Sequence, residues 1–171
     1  KRPGVKHRVG GITPGVENLP SGTAQRPGDI VTAKDGTTIE VLNTDAEGRL
    51  ILADAITHAQ SFKPTWIIDM ATLTGACEVA VGPTHVAVMS NQDRFAQQLV
   101  EDSRTDGDKG WHLTQGEEYD EANKGAYADL KNIRLTNRAG RSYRGSFPKP
   151  LAKENKMAHS DITSKSGTPV W

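Results

Sequence analysis

Hydrophobic and polar positions change rhythm several times along the chain, and each change predicts an element. Val5 to Ile12 is short and partly apolar, and predicts a strand. Residues 13–28 carry Pro14, Gly15, Pro20, Gly22, Pro27 and Gly28, and predict a loop. From Asp29 to Leu42, two β-rich runs flank Asp35-Gly36, a two-residue hairpin signal. Arg49 to Phe62 places Leu50, Ala53, Ile56 and Thr57 near helical spacing. Thr65 to Met70 predicts a buried strand, and Thr72 to Ala76 the loop at its carboxyl end. His85 to Met89 predicts another strand, and Gln92 to Ser103 a helix with Phe95 and Leu99 four apart. This alternation predicts an α/β fold: a mixed, mostly parallel sheet flanked by helices. Such sheets bind ligands in crevices beyond the carboxyl ends of their strands. No repeat is visible at a period of 20–50 residues.

Composition narrows the picture. The chain has 171 residues, and Leu, Ile, Val and Phe number 5 in residues 1–29, 20 in 30–100 and 8 in 101–171. The middle can build a core. The last 71 residues bury too little apolar area to offset their ordering entropy, so they are expected to be irregular or packed on something outside themselves. Lys+Arg and Asp+Glu are 21 each, which excludes a uniformly basic nucleic-acid binder and a uniformly acidic tail protein. The neutral total hides a dipole. Residues 101–129 hold nine acidic and three basic residues, whereas 131–156 hold eight basic residues against Glu154. The basic run is a solvated face or a contact for an acidic macromolecule. No apolar run approaches the roughly 18 residues of a membrane helix. Cys77 is the single cysteine, so no internal disulfide forms, which fits an intracellular, cytoplasmic setting. It reads as a small core residue. His7, His58, His85, His112 and His159 show no metal-type spacing and read as structural or surface residues. The chain begins at Lys1, which suggests a processed or partial piece of a longer protein.

Candidate chemistry concentrates in Asn43-Thr-Asp-Ala-Glu-Gly-Arg-Leu50. In an extended segment, Asp45, Glu47 and Arg49 share a face. Two carboxylates so spaced can hold a divalent ion or bridge two. Arg49 adds a fixed cation that can clamp an anion or stabilise charge on a carbonyl oxygen. On spacing alone a plainer reading stands beside this one: the acids interact with the following helix N-terminus and Arg49 pairs with Asp45.

The complete octet resembles the signature of the leucyl aminopeptidase (cytosol aminopeptidase) family. Further stretches resemble that family in the same order: Glu17-Asn-Leu-Pro-Ser-Gly, Arg26-Pro-Gly-Asp-Ile, Asp69-Met-Ala-Thr-Leu-Thr-Gly-Ala, Ala128-Asp-Leu-Lys-Asn-Ile and Ala158-His-Ser-Asp-Ile. The chain then reads as a partial peptidase catalytic domain over 1–171, close to the family over 1–133 and diverged, basic and poorly apolar over 134–171. The resemblance implies metal-dependent release of N-terminal amino acids, leucine-type, from peptides. It implies two divalent ions (zinc or manganese), with Asp45 and Glu47 as ligands. It implies that Arg49 holds a bicarbonate-like base or the developing charge. It implies that Thr72, Leu73, Thr74 and Gly75 line the substrate site, with the Leu73 main chain touching the peptide. It also implies a homohexamer.

Two departures qualify this. The family's first metal block, a lysine and two aspartates plus a catalytic lysine, has no counterpart here, so the chain alone is expected to be inactive. After Ile133 the family's small-residue helix is replaced by an Arg-rich stretch with Pro148 and Pro150, which oppose a continuous helix. Ser160 also replaces a usual apolar residue. Two functions follow: part of an aminopeptidase completed by the upstream half or another chain, or an inactive structural descendant that binds an acidic partner.

Overall fold

The helical spacing that follows the octet forms α1 (Gly48–Gln60), and its position organises the rest. Leu52, Ala53 and Ile56 are buried on α1 and meet apolar side chains from two sheets. The computed structural model describes residues 7–113, 115–133 and 155–163.

The smaller sheet contains β1 (Ile30–Thr32), β2 (Thr38–Glu40) and β6 (Leu130–Lys131), in the order β1-β2-β6. β1 and β2 are antiparallel, and β2 and β6 are parallel. The larger sheet contains β3 (Trp66–Ala71), β4 (His85–Ser90), β5 (Lys109–His112) and β7 (Lys156–Asp161), in the order β3-β7-β4-β5. β3 and β7 run parallel, as do β4 and β5, while β4 and β7 meet antiparallel. The expected mixed α/β architecture is therefore present.

Ala33, Ile39 and Leu130 of the smaller sheet region, and Ile67 and Met157 of the larger sheet, close on α1 to form the main core. α2 (Gly75–Val81) packs Cys77 against Ala87 and Met89 of β4. α3 (Asp93–Asp106) packs Ala96 and Val100 against Val88, which points from the opposite face of β4. Helices therefore flank the larger sheet on both sides.

Several expectations change. Of the strand expected over Val5–Ile12, Val5 and Lys6 lie outside the described residues, and residues 8–12 form no strand and are exposed. Among the described residues they meet no partner, and an isolated strand leaves its backbone groups unpaired. The hairpin loop has three residues rather than two: Ala33 N–H bonds Thr37 O at 2.8 Å around Lys34, Asp35 and Gly36. Gly36 takes φ 93°, the left-handed value this longer loop requires at its last position. The C-terminal third is not merely irregular. It supplies β5 and the inner strand β7, on which Met157, Ala158, His159 and Asp161 are buried. β7 packs on β3 and β4, outside the C-terminal third, as the second alternative expected, and its His159 bonds Asp69 within the sheet.

Asn132 ties the two ends of the smaller sheet region together. Its Oδ1 accepts from Leu42 N at 2.8 Å and Asn43 N at 3.3 Å, and its Nδ2 donates to Asn43 O at 2.7 Å. Nearby, buried Glu40 accepts from the backbone N–H groups of Tyr127 and Ala128.

Candidate functional site

The octet is bent, not extended. Asn43 has β-region dihedrals, and its Oδ1 accepts from Asp45 N at 2.9 Å, capping a 3₁₀ turn over Thr44–Ala46. Glu47 links this turn to α1. Residues two apart in a helical segment point in nearly opposite directions, so the shared face expected of Asp45, Glu47 and Arg49 does not exist in that form. Asp45 is exposed, Glu47 is half-buried and Arg49 is buried. The polar residue that capped the turn, Asn43, decided this.

What the fold brings to the octet is the loop after β3. A Cβ added to Gly48 would lie 3.6 Å from Leu73 Cδ1, so the Leu73 side chain, from the loop before α2, lies beside the α1 start. Thr72 and Gly75 are exposed, Leu73 is half-buried and Thr74 is buried at the start of α2. The octet and the predicted substrate loop thus share the carboxyl end of β3.

A polar wall lies beneath them. On the face of β3 and β7 covered by α1, side chains change from apolar to polar along the strands. Ile67 pairs with Met157, then Asp69 with His159, then Ala71 with Asp161. His159 Nδ1 donates to Asp69 Oδ1 at 2.5 Å, with both side chains buried. Burial alone pushes the His159 pKa down. The adjacent Asp69 charge and hydrogen bond, with Asp161 behind them, outweigh it and raise the net value, while Arg49 opposes.

Asp161 is 0% exposed. Its Oδ1 accepts from Leu73 N at 3.3 Å, from Thr163 N at 3.1 Å and from Thr163 Oγ1 at 2.6 Å. Thr163 Oγ1 in turn accepts from Thr74 N at 3.1 Å. Asp69 Oδ2, Thr74 Oγ1, His159 Nε2 and Asp161 Oδ2 are buried without a hydrogen-bond partner among the described residues.

Asp45 and Glu47 are hard oxygen donors suited to a divalent cation, and no ion pair engages either among the described residues. Among those residues no group of three His, Cys, Asp or Glu side chains is arranged to hold a metal. Each carboxylate suits a metal as a single donor, but the bent octet does not turn the two toward one shared point. The basic run lies largely outside the described residues, which include only Lys131 to Ile133 and Asn155 to Lys156 of it.

The model for the catalytic domain of the cytosol aminopeptidase family matches residues 1–169. The chain belongs to that family. It is 47% identical over 167 residues to proteins named "Probable cytosol aminopeptidase" from Burkholderia mallei, Burkholderia pseudomallei and Burkholderia thailandensis. Each alignment covers 96% of this chain and 33% of the relative. The chain thus spans about a third of the length of the curated relatives it matches. The cytosol aminopeptidase family is metal-dependent. No helix among the described residues is long and apolar enough to cross a membrane.

The family motifs led to the octet and to the 72–75 loop. The same motifs include Asp69, His159 and Asp161, but nothing in them showed that Asp69 pairs with His159 or that Asp161 and Thr163 bracket the loop. Asp69 and His159 lie 90 positions apart. Their common signal was that each lies in a stretch resembling the family.

Proposed function

We propose that this chain carries part of the centre of a two-metal aminopeptidase acting on the N-termini of peptides, leucine-type residues among them. Asp45 and Glu47 would hold divalent zinc or manganese. Such ions polarise a carbonyl and activate water. Arg49 is a fixed cation at the start of α1, suited to a bicarbonate-like base or to charge developing on the scissile carbonyl oxygen. The main chain at Leu73 and the exposed Thr72 and Gly75, with Thr74 at the α2 start, would orient the peptide. The observation that carries the reading is the placement of Leu73 beside Gly48, which brings the family's acidic octet next to the loop at the strand end.

Two carboxylates do not complete a two-metal site, so the remaining ligands would come from outside the described residues, by an upstream segment or another chain. A homohexamer in the cytoplasm is the corresponding assembly. The test uses the full polypeptide containing this chain, loaded with zinc or manganese. Leucine amide should be hydrolysed, and D45N/E47Q should lower both metal content and turnover by more than tenfold. A protein that binds neither metal and hydrolyses nothing refutes the proposal. It leaves the structural reading, in which the basic run meets an acidic macromolecule.

A further inference from the structure

We infer that Asp161 and Thr163 are positioning residues that fix the backbone of the Leu73–Thr74 loop; the inference rests on the proposal that this loop holds the peptide. Asp161 is wholly buried at the end of β7, where the register leaves it opposite Ala71 on β3 and Ala87 on β4. A buried carboxylate is costly unless several donors meet it. Three donors meet one oxygen here: Leu73 N, Thr163 N and Thr163 Oγ1. The Thr163 hydroxyl spends its proton on Asp161 and so turns its lone pairs outward, where it accepts from Thr74 N at 3.1 Å. Two successive loop amides are thus held, one directly and one by relay. The hydroxyl is unusual in being both donor and acceptor, and only Ser or Thr can make this link at that place.

The β3–β7 ladder then continues beyond the strands: Ile162 N bonds Ala71 O at 3.0 Å, and the Asp161–Thr163 bracket takes over one residue later. The loop is therefore an extension of the sheet rather than a free connection. Its main chain is fixed before a peptide arrives, which lowers the ordering cost of binding.

The test compares T163V, T163S and D161N in the full polypeptide by hydrogen exchange at the Leu73 and Thr74 amides and by leucine amide kinetics. T163V keeps the side-chain shape and removes the relay. Exchange at Thr74 should rise about tenfold and KM about tenfold, with a smaller change in kcat, and T163S should restore both. If D161N fails to fold, the threonine pair still decides. Unchanged exchange at Leu73 and Thr74 in folded T163V overturns the inference. So does faster exchange with unchanged KM, or a failure of T163S to rescue. A wild-type protein that does not hydrolyse leucine amide sinks the proposed function instead, while the exchange data still report on the bracket.

Discussion

Replacing Asn132 should release the start of the octet, and the cost can be worked from its hydrogen bonds. The side chain is 1% exposed and serves three backbone groups, at 2.8 Å to Leu42 N, 3.3 Å to Asn43 N and 2.7 Å to Asn43 O. In N132A the half-buried Leu42 N–H loses its acceptor, and an orphaned buried donor costs about 1–3 kcal/mol. Asn43 is exposed, so water replaces its two bonds at a smaller loss of about 1 kcal/mol. The expected total is about 2–4 kcal/mol, a large share of the roughly 5–15 kcal/mol that holds a domain together. N132D separates hydrogen bonding from packing. It keeps the acceptor for Leu42 N but sets a carboxylate oxygen against Asn43 O, where a donor stood. Protonation restores a donor there, so the deficit of N132D should shrink as pH falls toward about 4. Urea unfolding followed by far-ultraviolet circular dichroism gives both free energies. A loss under about 0.5 kcal/mol for N132A, or a pH-independent deficit for N132D, would refute the reasoning.

Other outcomes follow from single contacts. In G125A the new Cβ would lie 2.5 Å from Ala128 O and 2.7 Å from Leu130 O, both backbone atoms. The strain should destabilise the protein by about 1–3 kcal/mol in thermal unfolding, and a neutral result would mean that the Gly125–Leu130 turn gives way freely. His159 has a raised pKa in the fold, so its protonation stabilises the folded state fully below the unfolded value of about 6.5. That contribution is lost as pH rises through the raised value. The melting temperature of the wild type relative to H159Q should therefore fall as pH is taken from 6 upward, and a flat difference would contradict the Asp69 pairing. Burial, with Asp161 nearby, pushes the Cys77 thiol up to about 11. Alkylation of the native protein at pH 8 should be slower than that of the unfolded chain by more than tenfold, as followed by intact mass.

Legibility differed with the kind of force at work. α1, α3, β3 and β4 announced themselves because apolar side chains repeat at helix or strand spacing and pack directly on one another. β7 did not, because its inward face carries His159 and Asp161, which are bonded by Asp69 and Leu73 about 90 positions away as well as by nearby Thr163. β6 is two residues long and α4 (Glu117–Asn123) is acidic, so neither shows a periodic stripe. In the octet the residue types were readable, but their directions were not. Asn43 chose a capped turn over an extended run, and only Asn132, held 89 positions away, shows why it stays there.

The placement of β7 between β3 and β4 also governs the order in which the protein can be made. A nascent chain emerging from the ribosome exposes β3, β4 and β5 well before residue 156. Until then, among the described strands, β3 and β4 have no bridge between them, and unpaired strand edges are prone to pairing with other molecules. Among the described strands, the last to be synthesised is the one that joins β3 to β4 and brings the Leu73 bracket with it. A polypeptide cut short before it would lack the bridge between β3 and β4 and the bonds that hold the Leu73–Thr74 backbone.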